Sequence, residues 1–75
     1  MNEEYIEKLE RLLNSQVVDN EEEFLKFCEE AKDDTIKALA IKEFIENSVT
    51  GNPFDEGLTI DDLNDYVECL YDKEF

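Results

Sequence analysis

Apolar residues recur every three or four positions along most of this chain. That spacing places them on one side of a helix and is typical of amphipathic α-helices. The single Pro and the two Gly residues leave few points at which a helix must stop. The pattern therefore predicts an all-α protein, a small bundle of about four short helices that forms a single domain over residues 1–75.

The helix predicted over residues 35–49 is the most apolar of the four. Its apolar positions cover much of the helical cylinder and are not confined to one stripe. Such a helix must be covered by neighbours on several sides, so we expect it at the centre of the bundle, with the more acidic helices around it. The apolar residues of this segment are Ile36, Leu39, Ala40, Ile41, Phe44, Ile45 and Val49.

Polar residues that can accept hydrogen bonds from free backbone amides stand before each predicted helix. Two of these helix starts also carry an acidic residue three positions later, which is typical of a capping box. The predicted caps are Asn2, Asn20 with Glu23, Asp33 or Asp34, and Thr59 with Asp62.

The connections between the helices also contain apolar residues. We expect Val17 and Val18, in the first connection, to pack against the core. Gly51 is suited to the left-handed conformation that ends the central helix. Phe54 and Leu58 follow it and are expected to fold back onto the core.

The net charge indicates more about the partners of this chain than any sequence motif does. Asp and Glu number 22 and Lys and Arg number 7, which gives a net charge of −15 and a pI near 4.1. A field of this sign repels nucleic acids and anionic membranes, and it attracts basic surfaces. We therefore expect a basic protein partner, with no direct nucleic acid binding and no membrane. Acidity that serves only solubility is the open alternative.

The residue types indicate no catalytic centre. The chain has no His, which removes the usual side-chain base near neutral pH and the commonest metal ligand. Cys28 and Cys69 form no Cys-x-x-Cys pair, which indicates a reducing cytosol and two thiols in the core. The acidic segment from Asn52 to Leu63 lacks two required ligands of an EF-hand calcium loop. We therefore expect no enzyme activity, no cofactor and no metal site.

Carboxylates are regularly spaced on two of the predicted helices. Four acidic residues of the last helix follow one another at steps of four, three and four, so they share one face. At about 1.5 Å per residue, this row is roughly 16 Å long. The candidate partner-binding residues are Asp61, Asp62, Asp65, Glu68 and Asp72 on the last helix, with Glu22, Glu29 and Asp33 on and after the second.

In its size, its acidity and its lack of catalytic motifs, the chain resembles the small DNA-mimic inhibitors that bacteriophages encode. Duplex DNA carries one negative charge per ~1.7 Å of axis, and basic clefts are built to receive that array. The resemblance implies a protein of host takeover that acts in the cytoplasm of a bacterial cell. Its partner would be a basic, DNA-binding host protein such as a sliding clamp, a nucleoid protein, a restriction enzyme, a polymerase or a CRISPR effector.

A second resemblance is positional. The segments Asp34-Thr35-Ile36 and residues 58–67 are similar to the modification motif and the last helix of acyl carrier proteins. This resemblance implies an acidic four-helix carrier in which Thr35 stands in place of the serine that accepts phosphopantetheine.

A third alternative keeps the acidic surface and changes the partner. Immunity-type proteins and antirepressors neutralise basic proteins without copying the geometry of DNA, and a few buried aromatic residues then supply much of the affinity. The same aromatic residues are candidates for a homodimer contact. They are Tyr5, Phe54, Tyr66, Tyr71 and Phe75.

Overall fold

A computed structural model describes the backbone of residues 3–74 and the side chains of residues 3–72. Within this part of the chain there are four α-helices, one short 3-10 helix and no strand. The predicted all-α architecture is therefore confirmed, whereas Asn2 and Phe75 lie outside the described residues. The helices are α1 (Glu3–Ser15), α2 (Glu21–Ala31), α3 (Thr35–Glu46) and α4 (Ile60–Glu74), and the 3-10 helix is Pro53–Glu56.

The central position predicted for the third helix is confirmed. Within the described residues, α3 packs against α1, α2 and α4, and α1 also packs against α2. Burial extends around the helix and is not confined to one stripe. The buried residues of α3 are Ala38, Ala40, Ile41, Phe44 and Ile45.

α3 ends at Glu46, three residues before the predicted end. Val49 is consequently 92% exposed, and its prediction as part of the central apolar helix is wrong. The physical reason is a competing hydrogen-bond acceptor, because the Glu56 carboxylate binds the backbone N–H groups of Val49 and Thr50 at 3.3 Å each. The chain then turns at Gly51, which has the predicted left-handed conformation with φ 81°.

Aromatic rings join three of the helices to the connection before α4. The Phe24 and Phe54 rings meet edge to face, with centroids 5.1 Å apart. The ring centroid of Phe44 in α3 lies 6.1 Å from that of Phe24 and 6.3 Å from that of Tyr66 in α4. Phe54 and Leu58 are partly buried against the core, as predicted.

The connection between α1 and α2 places only one of its two valines against the core. Val18 is partly buried there, as predicted, but Val17 is 101% exposed and its prediction is wrong. The amide of Gln16 donates to the Asn52 side chain at 3.4 Å, which links this connection to the one after α3. Apolar character alone did not indicate which of two adjacent side chains would face inward.

Of the predicted caps, the one at Asp34 is present, the capping box at Thr59 is half formed and the one at Asn20 is absent. The Asp34 carboxylate accepts from the N–H groups of Ile36 and Lys37 at 3.0 and 3.3 Å. The Asp62 carboxylate accepts from the Thr59 N–H at 2.7 Å, which is one half of a capping box. The capping box predicted for Asn20 is wrong, because its backbone is left-handed (φ 61°) and its side chain bonds no helical N–H. Asn tolerates that conformation better than most residues.

The two cysteines differ in environment. Cys28 is buried and Cys69 is exposed, so the prediction of a core position is wrong for Cys69. At 100° per residue, Cys69 lies about 120° around α4 from the buried Leu63, outside the apolar stripe. Burial raises the pKa of the Cys28 thiol to about 12.

None of the helices within residues 3–74 has both the length and the apolar character needed to span a membrane.

We expect the two thiols to react with dithionitrobenzoate at very different rates. Because only the thiolate attacks the reagent, the buried Cys28 should stay unreacted in the folded protein while Cys69 reacts within seconds to minutes. The Cys69→Ser variant should show no fast phase and should react only after urea is added. A fast phase in that variant would contradict the burial of Cys28.

Phe44→Ala should lower the free energy of unfolding by about 3–5 kcal/mol, since it removes a fully buried ring from the centre of the core. This is a large share of the ~4–11 kcal/mol expected for a chain of this length. Leu25→Ala, at a residue with 37% exposure, should cost much less. Urea denaturation followed by far-UV circular dichroism measures both, and equal losses would contradict a core centred on α3.

Candidate partner-binding surface

The acidic row predicted on the last helix is present on α4. Asp61, Asp65, Glu68 and Asp72 are all exposed, and helical geometry puts them within about 60° of one another around the axis. The opposite side of α4 is held by the buried Ile60, Leu63 and Leu70. We refer to these four carboxylates as the α4 row.

Within side chains 3–72, no cation forms an ion pair with the α4 row. The sequence contains no Lys or Arg between Glu43 and Asp72. Among side chains 3–72, every ion pair lies on the first three helices or the turns between them, and none includes a carboxylate of α4. These pairs are Lys32 with Glu10 at 3.8 Å, Lys32 with Glu29 at 3.2 Å, and Lys37 with Glu30 at 2.8 Å.

Asp62 differs from the four residues of the row. It is partly buried, and its Oδ2 accepts from both the N–H and the hydroxyl of Thr59, at 2.7 and 3.2 Å. These bonds stabilise the first turn of α4. The structure therefore gives Asp62 a definite structural role in addition to the predicted partner contact.

The second group of candidate carboxylates forms a less uniformly negative surface than the α4 row does. Glu22, Glu29 and Asp33 are exposed, but Glu29 pairs with Lys32 at 3.2 Å. Lys26 lies on the same face of α2, between Glu22 and Glu29. Because α2 packs against both α1 and α3, whereas α4 packs mainly against α3, the two groups lie on separate helices and do not form one continuous row.

Glu56 organises the segment between α3 and α4, although no sequence pattern predicted a role for it. Its carboxylate accepts from the Ser48 hydroxyl, from the Val49 and Thr50 N–H groups, and from the Thr50 hydroxyl at 3.1 Å. These hydrogen bonds, chiefly the one from Ser48, hold the pKa of Glu56 below its usual value. No local motif indicated these bonds, because the partners lie six to eight residues away in an irregular segment.

Thr35, the residue in the place of a carrier serine, is the first residue of α3 and is exposed. Asp34 before it is occupied as the helix cap. α2 lies in the region where the acyl carrier family has a loop.

Four of the five aromatic candidates for a second partner-binding surface lie in the part of the chain with described side chains, and Phe75 lies outside it. Tyr5 donates to Glu46 at 2.9 Å, Phe54 packs on Phe24, and Tyr66 accepts from Asn47 at 3.3 Å. Tyr71 is 44% exposed. In the part of the chain with described side chains, no three Cys, Asp or Glu residues converge into a group that could hold a metal ion.

No protein-family model, no curated protein and no solved structure matches this chain.

Glu56→Gln should lower stability at neutral pH, and the loss should disappear in acid. Because the pKa of Glu56 is lower in the folded chain than its usual 4.5, its contribution is fully present above pH 4.5 and is lost as the pH falls through the folded value. Urea denaturation of both proteins across this range measures the difference.

Asp55→Asn is the matched control for this experiment. Asp55 is exposed and adjacent in sequence, so its substitution changes the net charge equally without removing the bonds to Ser48 and Thr50. A pH-dependent loss of the same size in this control would mean that general charge repulsion, and not the Glu56 bonds, causes the effect.

Proposed function

We propose that this chain is a non-enzymatic interaction protein that binds and inhibits a basic, DNA-binding protein by presenting the α4 row in place of DNA phosphates. The observation that carries the proposal is a row of four exposed carboxylates on one helix face, with no ion pair to a described cation. The class resemblance to phage-encoded DNA mimics supports it and suggests a bacterial host protein as the target.

The spacing of the row is comparable with that of DNA without being identical to it. Four charges over roughly 16 Å are about 5.5 Å apart along the helix axis. One strand of DNA carries a phosphate per ~3.4 Å. The row therefore has about three-fifths of the charge per length of a single strand, and it fits a partner whose Lys and Arg side chains can adjust to either array.

The scaffold also suits this role. α4 is fixed to α3 through buried Ile60, Leu63 and Leu70, so the carboxylates are held in position before a partner arrives. Ordering fewer groups on binding leaves more of the interaction free energy for affinity. A long-range acidic field also accelerates the encounter with a basic protein.

The test is capture of partners from bacterial lysate with tagged protein, at low and high salt, with and without competing duplex DNA. We expect capture of a DNA-binding protein that DNA displaces and that salt weakens, because raising the ionic strength screens exposed charges. The variant with Asp61→Asn, Asp65→Asn, Glu68→Gln and Asp72→Asn should bind the captured protein at least about tenfold more weakly, as several exposed ion pairs are lost together.

The matched control removes four carboxylates elsewhere, with Glu3→Gln, Glu4→Gln, Glu7→Gln and Glu23→Gln. These residues are exposed, and the control has the same net charge as the α4 variant. Equal weakening in both variants would mean that only total charge matters, which would contradict mimicry by the row. A captured partner that DNA cannot displace favours an immunity-type binder, and capture of acyl-transfer enzymes favours a carrier.

A further inference from the structure

Two shallow depressions adjoin at Leu58, between the α1–α2 connection and α4. Val17, Val18 and Phe54 contribute to the first, which has a volume of about 190 Å³. Asp65 and Tyr66 contribute to the second, of about 230 Å³. Leu58 lines both depressions, which together we call the Leu58 groove.

The floor of the Leu58 groove is apolar and held in place. Val18, Phe54, Leu58 and Tyr66 are partly buried, and each packs against the core with its inner side. The Phe54 ring is fixed by its edge-to-face contact with Phe24. A groove with a fixed floor can receive a side chain without first reorganising.

Val17 extends this apolar surface into solvent. It is 101% exposed, so its side chain makes no contribution to the core. A single exposed valine needs no explanation, and Val49, which is 92% exposed, lies outside the groove. Val17 differs because it lines the first depression together with Val18, Phe54 and Leu58.

The rim of the Leu58 groove is acidic. Asp19 borders the first depression, and Asp62 and Asp65 border the second. None of the described residues that line either depression is a Lys or an Arg. Asp65 also belongs to the α4 row, so the groove is continuous with the charged surface.

We infer that the Leu58 groove receives an apolar side chain of the basic partner, with neighbouring Lys or Arg side chains of that partner at Asp19 and Asp65. This inference rests on the proposed function and adds the chemistry of the partner segment, an apolar residue flanked by cations. Each depression is smaller than the ~300–1,000 Å³ of typical small-molecule sites, which suits a single side chain. A buried apolar anchor with charges around it is the arrangement that concentrates affinity in protein interfaces.

The test uses two fluorescent synthetic peptides of equal length and charge. One has Leu at intervals of three and four among lysines, and the other has Gln in place of each Leu. By fluorescence anisotropy, we expect the wild-type protein to bind the Leu peptide at least about tenfold more tightly, because only that peptide can bury an apolar side chain.

Val17→Asn and Val49→Asn form the matched pair of variants. Both valines are almost wholly exposed, so neither change affects the core, but only Val17 lines the groove. Val17→Asn should weaken binding of the Leu peptide about fivefold, which corresponds to partial burial of a valine side chain. Val49→Asn should leave it unchanged, and neither variant should alter binding of the Gln peptide.

A further variant separates this inference from the proposed function. Asp61→Asn, Glu68→Gln and Asp72→Asn together remove the three carboxylates of the α4 row that do not line the groove. They should weaken both peptides by the same factor and keep the preference for Leu. If the triple variant bound both peptides as tightly as the wild-type protein does, the role of the α4 row would be contradicted and that of the groove would not.

Equal affinity for the two peptides, or no effect of Val17→Asn, would overturn the inference about the Leu58 groove. Neither result would contradict the proposed function of the α4 row. Sedimentation of the wild-type protein as a dimer that Val17→Asn dissociates would also overturn the inference, since a second copy would then occupy the groove. In nuclear magnetic resonance titrations, the Leu peptide should shift the amide signals of Val18, Phe54 and Leu58 more than the Gln peptide does.

Discussion

Burial of α3 on several sides is the constraint on which the rest of this structure depends. A chain of this size buries only about 60% of the surface that it exposes when unfolded, and α3 supplies much of the apolar surface available for a core. α1, α2 and α4 are each held by packing against it. Phe44 extends this packing through Phe24, Phe54 and Tyr66, so the connection before α4 is also part of the core. The positions of the surface groups follow from this arrangement.

The acidic surface is the counterpart of that core. Most of the 22 acidic residues lie outside α3, because that helix carries only Glu43 and Glu46. Lys32 and Lys37 compensate part of the charge near α1, α2 and the start of α3. The α4 row has no such compensation within the described side chains. Mutual repulsion there costs folding stability, and a basic partner would relieve it on binding, which is one physical reason why a partner-binding role suits this face.

The α4 row and the Leu58 groove supply two different contributions to the same proposed interface. Exposed carboxylates act at a distance and mainly increase the rate of encounter. An apolar groove acts only on contact and favours slow dissociation, since affinity differences between related complexes arise mostly in the dissociation rate. Asp65 belongs to both features, so a partner that is drawn to the row is brought to the groove. Glu56 holds the connection between α3 and α4 and thereby helps to keep Phe54 and Leu58 in position.

The residue pattern alone predicted the helical architecture, the central place of α3, a cap at Asp33 or Asp34, the bond of Asp62 to Thr59, and the shared face of four carboxylates on α4. These features follow from the 3.6-residue repeat and from hydrogen bonds between residues close in sequence. The same repeat, measured from Leu63, already places Cys69 outside the apolar stripe. Packing between distant segments, by contrast, sets the end of α3 at Glu46, the exposure of Val17 beside Val18, and the position of Leu58 between two depressions. Those outcomes depend on contacts between segments distant in sequence, such as Gln16 with Asn52 and Glu56 with Ser48. No local pattern encodes such contacts, because they form only once the helices have packed around α3.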